Sequence, residues 1–258
     1  MYLRTVGLII CVFLLGCPTH QDGSFYRIKD SGEIRIAMSG DYPPFSYYNE
    51  KKALDGFDVD VAREIAKRLG VTLAPVRTKW TEKIQGLLNG EIDAILGCVA
   101  VTKERQEDLR FSEPYYHSAT QLLVRKGAVF KTKEDLVGKP IGAVSGTTFE
   151  DDARKLGPVD LRLYEGHSKA LRDLHNGVLD GMVTDRVAGD NAIRSGKFDI
   201  QFLGSPLRNR KVAIGLRKED KALLREIESV LEDMRKEGIL QSLIKKVAQC
   251  EYNCAAAF

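Results

Sequence analysis

The sequence predicts an α/β fold of two similar lobes with a cleft between them. Two observations support this prediction: one pattern of helix and strand occurs twice along the chain, and polar residues follow the buried strands of both copies. A chain of 258 residues is long enough for two modest domains with a core in each. The 39 basic and 36 acidic residues are interspersed, which excludes the clustered basic stripe of a nucleic-acid-binding protein.

The clearest part of the repeated pattern is an amphipathic helix followed by a short apolar strand. Residues 80–95 read WTEKIQGLLNGEIDAI, and residues 167–182 read HSKALRDLHNGVLDGM. Each segment predicts a helix that ends at an Asn-Gly pair, where Gly90 and Gly177 take a left-handed backbone. The hydrophobic residues after each pair predict a short buried strand.

A second pair of matching segments lies upstream of these helices. Residues 34–40 and residues 141–146 both predict a strand that runs into Ser-Gly. Each lobe is therefore expected to hold a largely parallel sheet, and ligands of such open sheets bind beyond the carboxyl ends of the strands. Those ends fall at residues 39–42, 97–98, 145–148 and 184–185.

Two further regions are predicted to be helical and structural. Asp58 is expected to cap a helix that ends at Gly70. Hydrophobic residues from Leu223 to Met234 form one apolar stripe, and Gly238 separates that helix from a last one.

The first seventeen residues differ from the rest of the chain. Arg4 is their only charge, and the apolar stretch after it is too short to span a bilayer but suits an export signal. The segment Leu14-Leu15-Gly16-Cys17 is similar to the bacterial lipobox, in which the Cys is acylated and becomes the new N-terminus. A plain signal peptide with an incidental Cys is the alternative. Residues 18–25 then predict a polar tether, so that the mature protein is exported and anchored to the membrane through Cys17.

The remaining cysteines predict a disulfide and a free thiol. Cys250 and Cys254 lie four positions apart, and an oxidising compartment favours a disulfide between them. A metal site would need partner ligands that the sequence does not show, so no metal is expected. Cys98 is expected to be a free thiol, buried as a small apolar side chain.

The motifs together carry a specific resemblance to one family. In order, the chain reads GDYPPFSY, GFDVDVAREIAKRLG, NGEIDAILG, TKERQEDLRFSEPYY, SGTTFED and LDGMVTDR. From about residue 30 to about residue 247, the chain resembles the family-3 solute-binding proteins, the periplasmic amino-acid-binding proteins of bacterial ABC importers.

The resemblance implies the type II periplasmic-binding-protein fold, in which two crossing strands form a hinge between α/β lobes. The crossings are expected near residues 117–122 and 205–212. Lobe 1 is then residues 26–117 with 211–258, and lobe 2 is residues 118–210.

The same resemblance implies a function in transport. The protein would capture an amino acid, or a similar small zwitterion or carboxylate, for an ABC permease in the membrane. It would act as a monomer, with no cofactor and no catalytic residue. Ser39 stands where some binders of basic amino acids carry an acid, which favours a polar or aromatic ligand.

Charged and hydroxyl residues of the predicted site come from both lobes. The resemblance implies that Arg105 binds the ligand α-carboxylate, which suits the bidentate geometry of a guanidinium group. It implies that Asp185 accepts the ligand ammonium from the opposite lobe. Thr147 and Thr148 start a helix and are expected to cap it and to bind the carboxylate through free N–H groups. The family often has a hydroxyl residue at the position of Ala100, so backbone N–H groups are expected to contribute more here.

Aromatic residues complete the predicted site. Tyr42 and Trp80 match family positions that enclose the ligand side chain between two rings. Phe45 is predicted either as cleft wall or as core. Asp41 is expected at the mouth of the pocket, and Cys98 at the end of a buried strand that faces it.

The alternative is an enzyme of the same fold. Periplasmic cyclohexadienyl dehydratases, which act on prephenate or arogenate, have segments similar to GDYPPFSY and MVTD. They use a Glu as general acid three residues after the Asp of the Thr-Asp motif, where this chain has Ala188. An Ala cannot transfer a proton, so a binding protein is the preferred prediction. Glu150 is the carboxylate that would have to substitute.

Overall fold

The structure is a computed structural model that describes residues 23–247. The predicted signal at residues 1–17, including the lipidation site, lies outside the described residues. Cys250 and Cys254 lie outside them as well, so lipidation and the disulfide stay predictions.

The end of the predicted tether is helical. Residues 23–25 form the start of the first helix, whose Ile28 side chain is fully buried. The hydroxyl of Ser24 donates to the carboxylate of Asp220, far along the chain. Composition predicts a polar tether here, but these long-range contacts hold the segment against the body of the protein.

The elements follow one another as two α/β units, and the chain then returns to the first. The first unit contains α1 (Gly23–Ser31), β1 (Glu33–Met38), β2 (Asp41–Tyr42), β3 (Ser46–Tyr48), β4 (Leu54–Asp55), α2 (Phe57–Arg68), β5 (Thr72–Arg77), α3 (Trp80–Leu88), β6 (Ala94–Ile95), α4 (Lys103–Asp108) and β7 (Leu109–Phe111). The second contains β8 (Tyr116–Arg125), a 3-10 turn (Lys133–Leu136), β9 (Pro140–Val144), α5 (Thr148–Arg154), β10 (Asp160–Tyr164), α6 (His167–His175), β11 (Gly181–Asp185), α7 (Arg186–Arg194) and β12 (Ile200–Val212). The return contains β13 (Gly215–Arg217), α8 (Lys221–Lys236) and α9 (Ile239–Val247).

The two large sheets have the same topology, which confirms the predicted duplication. Their strand orders are β5-β1-β6-β13-β7 and β10-β9-β11-β8-β12. In each sheet the first three strands are parallel and the last two pair antiparallel. Gly90 and Gly177 close equivalent helices with φ of 75° and 78°, a backbone that favours glycine. The matching strand ends therefore face each other across one cleft.

Strands β8 and β12 connect the two units. They pair antiparallel from Thr120 opposite Arg208 to Tyr116 opposite Val212, and the register shifts between Leu203 and Arg208. The crossings predicted near residues 117–122 and 205–212 lie on these two strands. Both predicted lobe boundaries also fall within them.

Helix α2 begins differently from the prediction for Asp58. Gly56 precedes the helix with φ of 123°, and Asp58 lies in the first turn without capping it. Its buried carboxylate accepts a hydrogen bond of 2.7 Å from the hydroxyl of Tyr115. Burial raises the pKa of Asp58 to about 6.

Across the part of the chain that the structure describes, no helix is both long enough and apolar enough to cross a membrane.

Candidate ligand-binding cleft

A cavity of about 890 Å³ lies between the two sheets, at the carboxyl ends of their parallel strands. Contacts across its rim join the lobes. The indole Nε1 of Trp80 donates to the carbonyl of Gly146 at 2.6 Å, and Ser168 donates to the carbonyl of Asp41 at 2.9 Å. The structure is therefore that of a closed cleft.

Seven of the ten predicted ligand-binding residues line this cavity. They are Asp41, Tyr42, Trp80, Cys98, Arg105, Thr147 and Thr148. The other three, Phe45, Ala100 and Asp185, do not line it.

Phe45 and Ala100 support the cleft from behind. The Phe45 side chain is fully buried, and its ring centroid lies 5.2 Å from that of Tyr42 and 5.5 Å from that of Tyr116. It is therefore core, one of the two predicted alternatives. The carbonyl of Ala100 accepts a 3.0 Å hydrogen bond from Nη1 of Arg105, so the backbone at this position orients the guanidinium group.

Arg105 faces the cavity without an acidic partner. It lies on α4, which the Thr102 side chain caps, and its guanidinium carbon is 4.8 Å from the ring centroid of Trp80. Among the described residues, no carboxylate forms an ion pair with Arg105 within 4.0 Å. Burial, followed by the positive charge of Arg210, lowers the pKa of Arg105 to about 10, so it is charged at neutral pH. An enclosed charge of this kind favours an anion in the cleft.

The two threonines at the start of α5 differ in their hydrogen bonds. The Thr147 hydroxyl accepts from the N–H of Phe149 and donates to the carbonyl of Val144, which makes it the helix cap. The Thr148 hydroxyl is buried and has no partner in the structure. Thr148 can therefore donate to a ligand without losing an existing hydrogen bond.

Asp185 does not have the free carboxylate that its predicted role requires. It caps α7 by accepting from the N–H of Val187, and it also accepts from the hydroxyl of Ser118, both at 2.8 Å. Its other oxygen accepts from Nη1 of Arg210 at 2.9 Å. The side chain is fully buried, so its acceptor positions are taken before any ligand arrives.

Arg210 is the most important residue that the sequence analysis missed. It lies on β12, is 5% exposed and lines the cavity. Besides Asp185, it donates to the carbonyl of Cys98 at 3.1 Å, and its guanidinium lies over the Phe149 ring at 4.3 Å. We call Arg210, Asp185, Cys98 and Tyr116 the Arg210 cluster. Cys98 is its free thiol, buried as predicted, 3.0 Å from the hydroxyl of Tyr116.

Lys83 and His167 were also missed. Lys83 is 1% exposed, donates to the hydroxyl of Ser39 at 2.9 Å, and has a pKa lowered to about 8 by burial. His167 lies at the start of α6, 4.8 Å between ring centroids from Tyr42. Both of its ring nitrogens are buried without a partner, and burial lowers its pKa to about 4. His167 lies on the apolar face of the amphipathic helix α6, which was the available signal for it, whereas the local pattern on α3 does not mark Lys83.

Asp41 joins the lobes at the mouth of the cleft. Its carboxylate lies so close to the backbone at the start of α6 that a Cβ added at Gly166 would overlap it. Burial raises the pKa of Asp41, while the charges of Arg77 and Lys83 oppose this shift. Asp41 thus lies at the mouth of the cavity and contacts the opposite lobe, and its role towards a ligand stays a prediction.

The chain is similar to known proteins over most of its length. Residues 34–249 match the family model of the bacterial extracellular solute-binding proteins, family 3. The L-cystine-binding protein TcyJ of Escherichia coli strain K12 is 32% identical over 228 residues, which are 87% of this chain and 86% of that protein. Holo ArgBP from T. maritima has a TM-score of 0.79 and 32% identity, covering 86% of this chain and 99% of that one. The ancestral amino acid-binding protein AncCDT-1, a precursor of cyclohexadienyl dehydratase, has a TM-score of 0.82 and 28% identity, covering 87% and 99%.

Proposed function

The chain belongs to family 3 of the bacterial extracellular solute-binding proteins, and we propose that it captures an amino acid or similar small carboxylate for an ABC importer. One observation carries the proposal. Arg105, charged and without an ion-pair partner among residues 23–247, faces a cavity of about 890 Å³ that both lobes close. The planar guanidinium suits bidentate binding of a carboxylate, and Trp80 and Tyr42 offer apolar walls to the rest of the ligand.

Closure of the lobes is the proposed mechanism. The ligand first binds Arg105 and the aromatic residues of the first lobe. Rotation about β8 and β12 then brings Thr148 of the second lobe onto it. Contacts that exist only in the closed form shift the equilibrium towards that form, and the permease is proposed to recognise it.

The cellular location and assembly state extend this proposal. We infer that residues 1–17 direct export, that Cys17 is acylated, and that the mature protein acts as a monomer. Several acyl chains would anchor the protein firmly, since each buried methylene contributes about 0.8 kcal/mol. A Cys17→Ser variant should move from the membrane fraction to the soluble fraction. An unchanged distribution between the two fractions would contradict the anchor.

A binding role is preferred over dehydration. Ala188 is fully buried in α7 and carries no proton to transfer. Burial by itself raises the pKa of Glu150, but Arg154 and the N–H of Gly146 outweigh it, so the pKa lies below its usual value. Glu150 is therefore ionised at neutral pH and cannot act as the acid. Turnover of prephenate or arogenate by the purified mature chain would overturn this preference.

Calorimetric titration of the mature protein with amino acids and small carboxylates tests the proposal. Arg105→Ala should reduce affinity for the best ligand by about 2–5 kcal/mol, as for loss of one partner of a buried charged pair. Arg110→Ala is the matched control, because Arg110 is exposed on β7 and donates to the carbonyl of Lys218. Near-wild-type affinity in Arg105→Ala would refute the site, and no binding to any compound would refute the function.

A further inference from the structure

The cationic character of the inner cleft goes beyond a single carboxylate-binding arginine. Six cationic and three acidic side chains line the cavity among the described residues. The acids lie towards its edge: Glu82 is exposed, Glu165 pairs with Lys79 at the rim, and Asp41 lies against the start of α6. Of the cations, Arg77, Lys79, Lys169 and Arg172 are also exposed, and the inner wall holds the guanidinium groups of Arg105 and Arg210.

Arg210 supplies the second of these inner charges. Its Nη1 donates to the carboxylate of Asp185 at 2.9 Å and its Nη2 to the carbonyl of Cys98 at 3.1 Å. Its Nε is buried and has no partner in the structure. A buried donor without a partner costs free energy that a ligand acceptor at this position would recover.

The position of Arg210 also removes the site for a ligand ammonium. Asp185 is fully buried and accepts from Arg210, Ser118 and Val187. A cation entering from the cavity would therefore meet the guanidinium of Arg210 and not the carboxylate of Asp185. An acid group would meet the positive charge of this guanidinium there.

Arg105 and Arg210 act on the same cavity. The positive charge of Arg210 is the largest influence on Arg105 after burial, so the two groups repel each other through the cleft. Within the described residues, no carboxylate forms an ion pair with Arg105 within 4.0 Å, and Arg210 pairs with Asp185 behind the cavity. Two anionic groups on one ligand would offset the repulsion between the two guanidinium groups.

We propose that the ligand carries two carboxylates, one bound by Arg105 and the other by Arg210, and that Arg210 selects for the second. The inference rests on the proposed function and specifies its ligand class: a dicarboxylate, with or without an amino group. The unpartnered hydroxyl of Thr148, on the same cavity, is an additional donor for the ligand.

Matched ligand pairs test this inference. The mature protein is titrated with L-aspartate against L-asparagine, L-glutamate against L-glutamine, and glutarate against its monoamide; L-2-aminoadipate and L-cystine extend the series to longer dicarboxylates. The tightest ligand should have two carboxylates. It should bind roughly 10-fold to 100-fold more tightly than a partner of the same size with one, the range for a hydrogen bond to a charged group. The amino-acid pairs and the glutarate pair together show whether the preferred dicarboxylate carries an amino group.

Variants of Arg210 then show whether this residue binds the second carboxylate of the ligand. Arg210→Gln should bring the affinities for each pair within a few-fold of each other. The double variant Arg210→Gln/Asp185→Asn removes both charges of the buried pair and gives the same test if the single variant folds poorly. Arg208→Gln is the matched control on the same strand, since Arg208 pairs with Asp152 and does not line the cavity. It should keep the wild-type preference.

The outcomes separate the inference from the function. Tightest binding of an amino acid with one carboxylate would refute the inference and leave the proposed function in place. A dicarboxylate preference that survives in both Arg210 variants would also refute it. Binding of none of the compounds would refute both.

Discussion

Arg210 and Arg217, on the consecutive strands β12 and β13, are alike in burial and differ in their hydrogen bonds. Arg217, on β13, is 7% exposed and Arg210, on β12, is 5% exposed. The Arg217 side chain donates to the carbonyls of Leu87 and Ile92 at 2.7 Å and to the hydroxyl of Ser24 at 2.8 Å. Its Nε pairs with Asp220 at 2.9 Å. Its Nη2 also lies 3.9 Å from the carboxylate of Asp93, and we call Arg217, Asp220, Ser24 and Asp93 the Arg217 cluster.

The Arg217 cluster is structural, whereas the Arg210 cluster is the one that we propose to bind ligand. Every nitrogen of the Arg217 side chain has a protein partner, whereas Nε of Arg210 has none. The first cluster joins helix α1 to the sheet, and the second lies at the cavity. Burial and an acidic partner are thus common to both, and the unused donor at a cavity distinguishes the group that has capacity for a ligand.

The largest expected effect concerns the Arg217 cluster. Arg217→Met should lower the free energy of unfolding by about 3–5 kcal/mol, because it leaves the buried carboxylate of Asp220 without its cation. Urea titration measures this loss, with Arg225→Met on the exposed face of α8 as the control. Ligand affinity of the folded protein should stay unchanged. A large loss of affinity with normal stability would contradict the distinction between the clusters.

His167 extends the comparison to a titrating group on the cleft. Its pKa is about 4 in the folded protein against 6.5 for the free side chain, because of burial. The unfolded chain therefore binds the proton first, and this residue lowers stability as pH falls from 6.5 to 4. Between pH 6.5 and pH 4, the free energy of unfolding of the wild type should fall by roughly 3 kcal/mol relative to that of His167→Met, as measured by denaturant titration.

Asp58 titrates in the same range with the opposite sign. Its pKa is raised from 3.8 to about 6, so its contribution to stability falls as pH rises between those values. Asp58 is present in both the wild type and His167→Met. Its contribution therefore cancels in the difference between their free energies of unfolding. A difference that does not change between pH 6.5 and pH 4 would show that the His167 ring is protonated as readily in the folded protein as in the unfolded chain.

The two threonines at the start of α5 test the same distinction on a smaller scale. Thr147→Val removes the helix cap and should lower the free energy of unfolding by about 1 kcal/mol. Thr148→Val removes a hydroxyl that has no protein partner, so stability should hold while ligand affinity falls several-fold. Thermal unfolding and calorimetry on the two variants give the comparison. Equal losses of stability would mean that the hydroxyls are equivalent.

The smallest effect is expected at the exposed rim. Lys79 and Glu165 form an ion pair of 3.1 Å between the lobes, with side chains 52% and 79% exposed. Exposed pairs contribute little because water and salt screen them. Lys79→Met should leave both the unfolding midpoint and ligand affinity unchanged at 0.15 M salt. A clear loss of affinity would show that rim contacts control closure.

The fold was predictable because its signal is periodic and occurs twice. Equivalent helices end at Gly90 and Gly177, and the two sheets repeat one strand order. The family resemblance also pointed to Arg105 and Trp80, and Thr148 could be expected at the cleft because it follows a strand end and starts α5.

Other parts of the site depend on contacts that the local pattern does not contain. Arg210 stands in the polar run Arg208-Asn209-Arg210-Lys211, where no apolar alternation shows which face of the strand is buried. The crossing of β12 behind the cleft buries Arg210, and Asp185 then pairs with it. Lys83 looks solvent-facing on α3, but its amino group lies over the Trp80 ring at 5.2 Å and bonds to Ser39.

The absence of a side chain at Gly166 lets the Asp41 carboxylate lie against the start of α6. The backbone angles of Gly166 are open to other residues, so the constraint on a substitution is the space taken by this carboxylate. A methyl group there would displace the carboxylate from this contact between the lobes, while the two cores stay unchanged. Gly166→Ala is therefore expected to weaken closure at the mouth, and a larger radius of gyration in X-ray scattering with ligand present would show it. Such a variant would be a folded chain in which the effect of closure on ligand affinity can be measured.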